Sequence, residues 1–337
     1  MKFPQNHTLE QIATILNVDY VGDADFPVLG MNEIHVVEPG DIVFVDHPKY
    51  YDKALASAAT VVLINKRVDC PEGKALLISE DPFADFNKLT QFFKPFEKAT
   101  SSIAASASIG EGTLIQPNCF IGNNVRIGKN CLIHANVSIY DNAVIGDGVT
   151  IHSGAVLGAD AFYYKKRETG FDKLLSGGRV VIKDHVDIGA LCTIDKGVSG
   201  DTIIGEGSKL DNQVHVGHDT LIGKRVLVAS QVGIAGCVII EDEAVLWGQV
   251  GVASGITIKE KAVLLAQSGV SKSLEGGRSY FGTPAEDTRK KYRELAAIRQ
   301  IPYILDQIKK GKSLETEILS NFYLTIHFGH LTLEYHK

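Results

Sequence analysis

The stretch from Ile103 to Leu157, IAASASIGEGTLIQPNCFIGNNVRIGKNCLIHANVSIYDNAVIGDGVTIHSGAVL, places an aliphatic residue at every sixth position. Between its ends lie Ile109, Ile115, Ile121, Ile127, Ile133, Ile139, Ile145 and Ile151. The period returns from Ile204 through Leu210, Val216, Ile222, Val228, Ile234, Ile240, Leu246, Val252, Ile258 and Leu264 to Val270, with Ile182, Ile188 and Ile194 bridging the two series. Six matches neither the 3.6-residue period of a helix nor the simple alternation of a strand. It suits a triangular coil, in which each hexad supplies one short strand and one corner while its aliphatic side chain points inward. Glycine often follows the aliphatic, and there it is expected to adopt corner angles that other residues resist. Three hexads make a turn of 18 residues, and turns stack at about 4.8 Å. The twenty-five hexads therefore predict roughly eight coils around one aliphatic column that no single repeat could bury alone.

The register slips twice, at ADAFYYKKRETGFDKLLSGGR (159–179) and at DKGVSGD (195–201). Both segments are expected to leave the prism as loops, and loops on a rigid scaffold often carry function.

Outside the repeat the pattern changes. Thr8 to Gln11 fits a capping box, and Leu9, Ile12, Ala13 and Leu16 share one helical face. A helix is expected over Lys53 to Ala59, a buried strand over Val61 to Ile64, and a further helix capped by Asp81 with Pro82 in its first turn. That helix should turn Phe83, Phe86, Leu89 and Phe93 inward. Residues 1–98 thus read as a small α/β domain, 99–284 as the prism and 285–312 as a helical extension that Pro302 kinks or restarts. The tail, 313–337, has no assignable structure. The expected fold class is mainly β: a parallel β-helix flanked by an α/β domain and a C-terminal helix.

Of the 337 residues, 34 are basic and 40 acidic, giving a net charge of −6, so no global positive field is available for nucleic acid. No apolar run approaches the roughly 18 residues of a membrane span, and the start MKFPQNHTLEQ lacks a signal segment. The expectation is a cytoplasmic protein with no integral membrane segment. Five scattered cysteines form no CxxC pair and suggest neither a disulfide framework nor a zinc knuckle. No glycine-rich nucleotidyl-transfer loop precedes the prism, which argues against the sugar nucleotidyltransferases that carry similar prisms, and no cofactor is assigned. His134 and His152 fall one coil apart and should stack, as zinc ligands of a prismatic hydratase would. A third histidine at suitable spacing is missing, so no metal is assigned.

The hexads resemble those of the hexapeptide-repeat acyltransferases, and the resemblance implies a left-handed prism, assembly as a homotrimer, and active sites in the grooves between subunits. FGTPAE (281–286) is similar to the turn that ends such prisms. The three-part organisation, over residues 1 to about 310, resembles the UDP-3-O-acylglucosamine N-acyltransferase family of lipid A synthesis. LDNQVHVGHDTLIG (210–223) carries the likeness, supported by TIDKG (193–197) and DTIIG (201–205). The resemblance implies transfer of a 3-hydroxyacyl group from the thioester of acyl carrier protein to the 2-amino group of a UDP-bound, O-acylated glucosamine.

On that likeness His218 is the general base, since imidazole can accept the attacking amine's proton near neutral pH. Asp211 either orients that ring or makes turn hydrogen bonds at a corner. Gly236, one coil on, matches the family's backbone oxyanion donor. In IVFVDHPKYYDKA, Phe44 and Tyr50 match the aromatic pair that clasps uracil, although Phe44 also reads as strand core. His47 stands where the family usually has asparagine, and Asn212 is a further substrate-binding candidate. Gly255 falls where the family often has a second histidine. Residues 286–312 hold eight basic against four acidic side chains, either as a solvated face or as a dock for the acidic carrier protein. Two other readings stay open: an O-acyltransferase on UDP-GlcNAc, which would lack the first domain, and a non-catalytic scaffold.

Overall fold

The structure, a computed structural model, describes residues 1–310. Helix α1 (Leu9–Leu16) opens with the capping box intact: the Thr8 hydroxyl accepts from Gln11 N while the Gln11 side chain accepts from Thr8 N. It buries Leu9, Ile12, Ala13 and Leu16. Six strands form the first sheet in the spatial order Lys2–Thr8, Pro27–Met31, Asp41–Val45, Val61–Ile64, Ala75–Ile78 and Asp19–Val21. The four central strands run parallel and the two edges antiparallel. Helix α2 (Tyr51–Leu55) is shorter than the alanine content suggested, because the chain turns at Ser57, whose hydroxyl donates to Ala54 O. Helix α3 (Pro82–Phe93) is capped by Asp81 and buries Phe83, Phe86 and Leu89. Phe93 stays half-buried, its ring stacked on Phe3 at 3.8 Å.

From Ser108 onward the chain winds as a triangular prism. Its three faces are parallel sheets of eight, ten and eight strands, the ten-stranded face including the two strands of a closing hairpin. Inward aliphatics stack in register, for example Ile127 on Ile145 and Val216 on Ile234, in a single buried column. The glycines that follow them are explained differently from the expectation. Gly110 and Gly128 do not occupy the left-handed region. A Cβ on either would lie about 2.4–2.5 Å from backbone of the next coil, so space rather than angle demands glycine. Left-handed corners fall two residues later and are held mainly by other residue types, including Asn118, Asn124, Asn130, Asn136 and Asn142 at φ 54–64°. Asparagine tolerates that conformation better than most residues.

Side chains two positions beyond the inward aliphatic stitch neighbouring coils together. The Asp141, Asp147 and Asp242 carboxylates accept from Asn123 N, Lys129 N and Lys224 N at 2.7–2.8 Å. At one corner Gln213, Gln231, Gln249 and Gln267 form a ladder of amide bonds of 2.8–2.9 Å. His134 and His152 stack with centroids 4.7 Å apart.

Both register slips are excursions toward the first domain. The longer one carries a hairpin, Tyr164–Arg167 with Gly170–Lys173, whose Lys165 and Arg167 pair with Asp46 and Asp81. Ala161, Leu174 and Val198 enter the first domain's core, so that core is shared with the two excursions. The prism closes with strands Ser279–Phe281 and Glu286–Asp287 paired antiparallel. Helix α4 (Thr288–Lys309), capped by Asp287, follows and runs unbroken through Pro302 rather than restarting there. Residues 313–337 lie outside the described residues.

Candidate active site

Val216 ends a strand of the face built from Thr193–Asp195, His215–Val216, Gly233–Ile234, Gly251–Val252 and Gly269–Val270. Two residues later, at the stitching position of the corner, stands His218, and Asp219 follows in the left-handed conformation at φ 55°. The sharp corner turns both side chains together: His218 Nδ1 donates to Asp219 Oδ2 at 2.9 Å. Asp219 is 6% exposed, and the shorter excursion covers it. Val198 N donates to Asp219 Oδ2 and Asp219 N donates to Thr202 Oγ1, each at 2.8 Å. The second register slip therefore seals the carboxylate behind the histidine. Tyr163, from the longer excursion, lies nearly parallel to the His218 ring at 6.2 Å.

One coil on, Gly236 occupies the equivalent position. A Cβ there would sit 2.5 Å from His218 Nε2, so only glycine lets the ring approach the backbone this closely. Cys237 stacks over Asp219 in the same left-handed conformation, and Gly255 follows in the next coil. From the first domain, Glu33 N donates to Ser199 Oγ of the shorter excursion, which brings the Glu33 carboxylate and His35 to the same corner. His35 Nε2 is 3.7 Å from Cys237 Sγ.

Burial alone would push the His218 ring toward neutrality, but the bond to Asp219 and contact with Cys237 outweigh it and raise its pKa to about 10. Burial, and then the charge of Asp219, raise Glu33 to about 8. Burial opposes ionisation of Cys237 as well, yet bonding to His218 and His35 lowers its pKa to about 7. The corner thus carries titratable protons on Cys237, Glu33 and His218, the ring holding its proton most tightly.

Beside His218 a groove of about 690 Å³ runs along the prism face past Phe162, His215, Gly233 and Gly251. A Cβ on Gly233 or Gly251 would meet nothing within 4 Å, and neither needs a left-handed backbone. Glycine at these outward strand positions keeps a trough free of side chains.

The structure assembles some of the sequence candidates and separates others. His218 and Gly236 meet. Asp211 does not orient His218: it lies on a different face, one residue after the inward Leu210, and its Oδ1 accepts from Asn212 N at 2.7 Å. Asn212 is occupied in the same stitching role, its Oδ1 accepting from Ala190 N at 2.7 Å. The carboxylate on the histidine is Asp219, whose adjacency in the VGHD motif was the available signal. Glu33 had none, because its proximity depends on how the first domain docks, whereas the 18-residue period puts Cys237 one coil after Asp219. Phe44 packs its ring on Phe86 at 4.8 Å and on Phe83 at 6.1 Å, at the half-buried edge of the first domain's core. Tyr50 is half exposed, with His47 at 5.9 Å between ring centroids.

Comparison with known proteins narrows the chemistry. The family model for UDP-3-O-(3-hydroxymyristoyl) glucosamine N-acyltransferase, LpxD, matches residues 25–92. The bacterial transferase hexapeptide model matches residues 124–159 and 201–236. A UDP-3-O-acylglucosamine N-acyltransferase of Dechloromonas aromatica is 40% identical over 233 residues, 63% of this chain and 67% of that protein. A protein of the same name from Christiangramia forsetii is 40% identical over 245 residues, 65% of this chain and 71% of that protein. Among solved structures, a UDP-N-acetylglucosamine acyltransferase of Francisella novicida aligns with a TM-score of 0.50 at 33% identity, covering 55% of this chain and 66% of that one. With the left-handed parallel β-helix, the preceding α/β domain and the matched relatives taken together, the chain belongs to the UDP-3-O-acylglucosamine N-acyltransferases, the hexapeptide-repeat enzymes of lipid A synthesis.

Proposed function

We propose that this enzyme takes a 3-hydroxyacyl group from the thioester of acyl carrier protein and delivers it to the 2-amino group of a UDP-bound, 3-O-acylated glucosamine at the His218 corner. The observation that carries this reading is His218, held by a buried carboxylate through Nδ1, with Nε2 turned to Gly236 at the mouth of a glycine-floored trough. The amine attacks the thioester carbonyl and forms the nitrogen–carbon bond. His218 Nε2, in its neutral form, takes the amine proton, and the carbonyl oxygen becomes an oxyanion. The Gly236 N–H, which makes no other hydrogen bond among the described residues, is the donor we assign to that oxyanion. Collapse expels the carrier's thiolate, which leaves as the thiol with a proton from the site.

The acyl chain fits the trough over Gly233 and Gly251. The uridine belongs on the first domain, where the exposed Tyr50 and the edge of Phe44 offer ring faces and His47 a donor. The runner-up, O-acyl transfer to UDP-GlcNAc, is disfavoured because the first domain matches the N-acyltransferase family over residues 25–92. The six apolar side chains Tyr292, Ile298, Ile301, Tyr303, Leu305 and Ile308 of α4, each about half exposed, favour assembly through that helix, and we take the assembly to be a trimer. With a carrier-borne donor, we take the reaction to run in the cytoplasm.

The test is an assay of the purified chain with 3-hydroxyacyl carrier protein and UDP-3-O-acylglucosamine, following product by mass. Turnover should fall by about 10²–10⁴ in His218→Ala, the usual effect of losing a general base. Turnover close to that of the unsubstituted enzyme would remove His218 from the chemistry.

A further inference from the structure

We propose that Glu33, His218 and Cys237 form a binding site for a thiophilic divalent cation of the zinc class, and that its occupation switches acyl transfer off by engaging the imidazole. The inhibitory half rests on the function proposed above, whereas the binding half does not.

The donor set comes first. A carboxylate oxygen of Glu33, a ring nitrogen of His218, a carboxylate oxygen of Asp219 and Cys237 Sγ lie within 4.8 Å of one another. Thiolate, imidazole and carboxylate are the ligands zinc takes, with bonds of roughly 2.0–2.3 Å. Ligand atoms around a tetrahedral ion stand roughly 3.3–3.8 Å apart on those bond lengths, so a side-chain contraction on the order of 1 Å would close the set.

Histidine orientation is the second observation. Nδ1 is already engaged by Asp219, which fixes the tautomer and leaves Nε2 beside the backbone of Gly236, the residue before Cys237. A zinc-bound histidine is held in this way, by a carboxylate on its far nitrogen. Asp219 is therefore better read as the carboxylate behind the ligand than as a fourth ligand. His35 Nε2, 3.7 Å from Cys237 Sγ on an exposed side chain, can swing to fill that place.

Unmet polar demand is the third. Glu33 Oε2 is buried and makes no hydrogen bond, and so is Oδ1 of the nearly fully buried Asp219. Two carboxylates and a thiol share this corner with two imidazoles, so a dication would compensate their charge. Binding would release the protons that Glu33, Cys237 and His218 otherwise hold. It would also join Glu33 and His35 of the first domain to two successive coils of the prism.

The experiment titrates metal-free full-length protein with Zn²⁺ against a chromophoric chelator, and separately with Co²⁺ while recording absorption. One ion per chain should bind, and Co²⁺ should give a thiolate-to-metal charge-transfer band that Cys237→Ser abolishes. Cys237→Ser and Glu33→Gln should each weaken Zn²⁺ binding about tenfold or more, and Asp219→Asn by about 10–100-fold as a group behind the ligand. His134→Ala, in the stacked histidine pair, should leave affinity unchanged. Absence of stoichiometric binding, or affinity that ignores Cys237→Ser and Glu33→Gln, would overturn the site. Zn²⁺ should also suppress acyl transfer reversibly on chelation. Binding as described with turnover undiminished would overturn the switch and count against His218 as the base, whereas loss of binding with turnover still dependent on His218 would overturn the site alone.

Discussion

Asp219 sets the working state of His218. Its negative charge, 2.9 Å away and shielded from water, holds the ring protonated at neutral pH. A protonated ring cannot accept the amine proton, so the active form grows as pH rises toward the raised pKa. We expect kcat/KM, measured in chelator-treated buffer, to climb with pH over the neutral and mildly alkaline range. Asp219→Asn removes the charge while keeping an acceptor for Val198 N, and the rising limb should move to lower pH by about one to three units. A limb that stays in place would assign the titration to another group, Cys237 and Glu33 being the neighbours with nearby values.

Elements decide what the site accepts. The trough exists because strand positions 233 and 251 carry no side chain where one would fit without collision. Gly251→Leu should therefore fold, yet obstruct the trough beyond His218. Transfer of long acyl groups should fall roughly tenfold to a hundredfold relative to a short-chain thioester, read as the ratio of kcat/KM for the two donors. Equal loss with both donors would show that the trough holds no chain. The prism was legible in the sequence because every hexad repeats one physical demand, an inward aliphatic, and Val216 and Ile234 fall in the register their spacing required. The His218–Gly236 meeting was legible for the same reason, being one coil. Asp211 misled because its place beside the inward Leu210 is a corner, where a carboxylate bonds to the neighbouring amide. Glu33 was invisible because no periodicity links the first domain to the coil it touches, whereas Cys237 lies one coil after Asp219 and was overlooked because nothing yet marked Asp219 itself.

At the scale of the whole molecule, α4 draws little support from its own chain. It buries no residue, and half-exposed apolar side chains lie along it beside basic ones. Lys290 and Lys291 are partly matched by Glu286 and Glu294, which tempers but does not cancel the local positive field. Reversing Lys290, Lys291 and Arg293 to Glu should weaken use of the carrier-bound donor several-fold, most strongly at low salt where the field reaches furthest. A short pantetheine thioester should be used as before. Light scattering should give the same particle mass for this variant as for the unsubstituted protein, three chains on the assembly proposed above; dissociation, with equal loss on both donors, would mean the charges serve assembly.

The closing hairpin has one further consequence. Apart from the closing hairpin and one irregularity at Ala159, each prism face is a stack of parallel strands in register, and the corner at Gln213, Gln231, Gln249 and Gln267 carries an amide ladder of the kind that propagates in fibres. Nothing intrinsic to such a stack says where to stop. The antiparallel strand Glu286–Asp287 covers the last edge of the ten-stranded face, and without it that edge would present unpaired amides and carbonyls in the geometry of another coil. A chain ending before Ser279 should accordingly join end to end, giving fibrils that bind an amyloid dye, while the full chain stays discrete. The hairpin thus guards the end of the ten-stranded face against polymerisation, whatever part it also plays in catalysis.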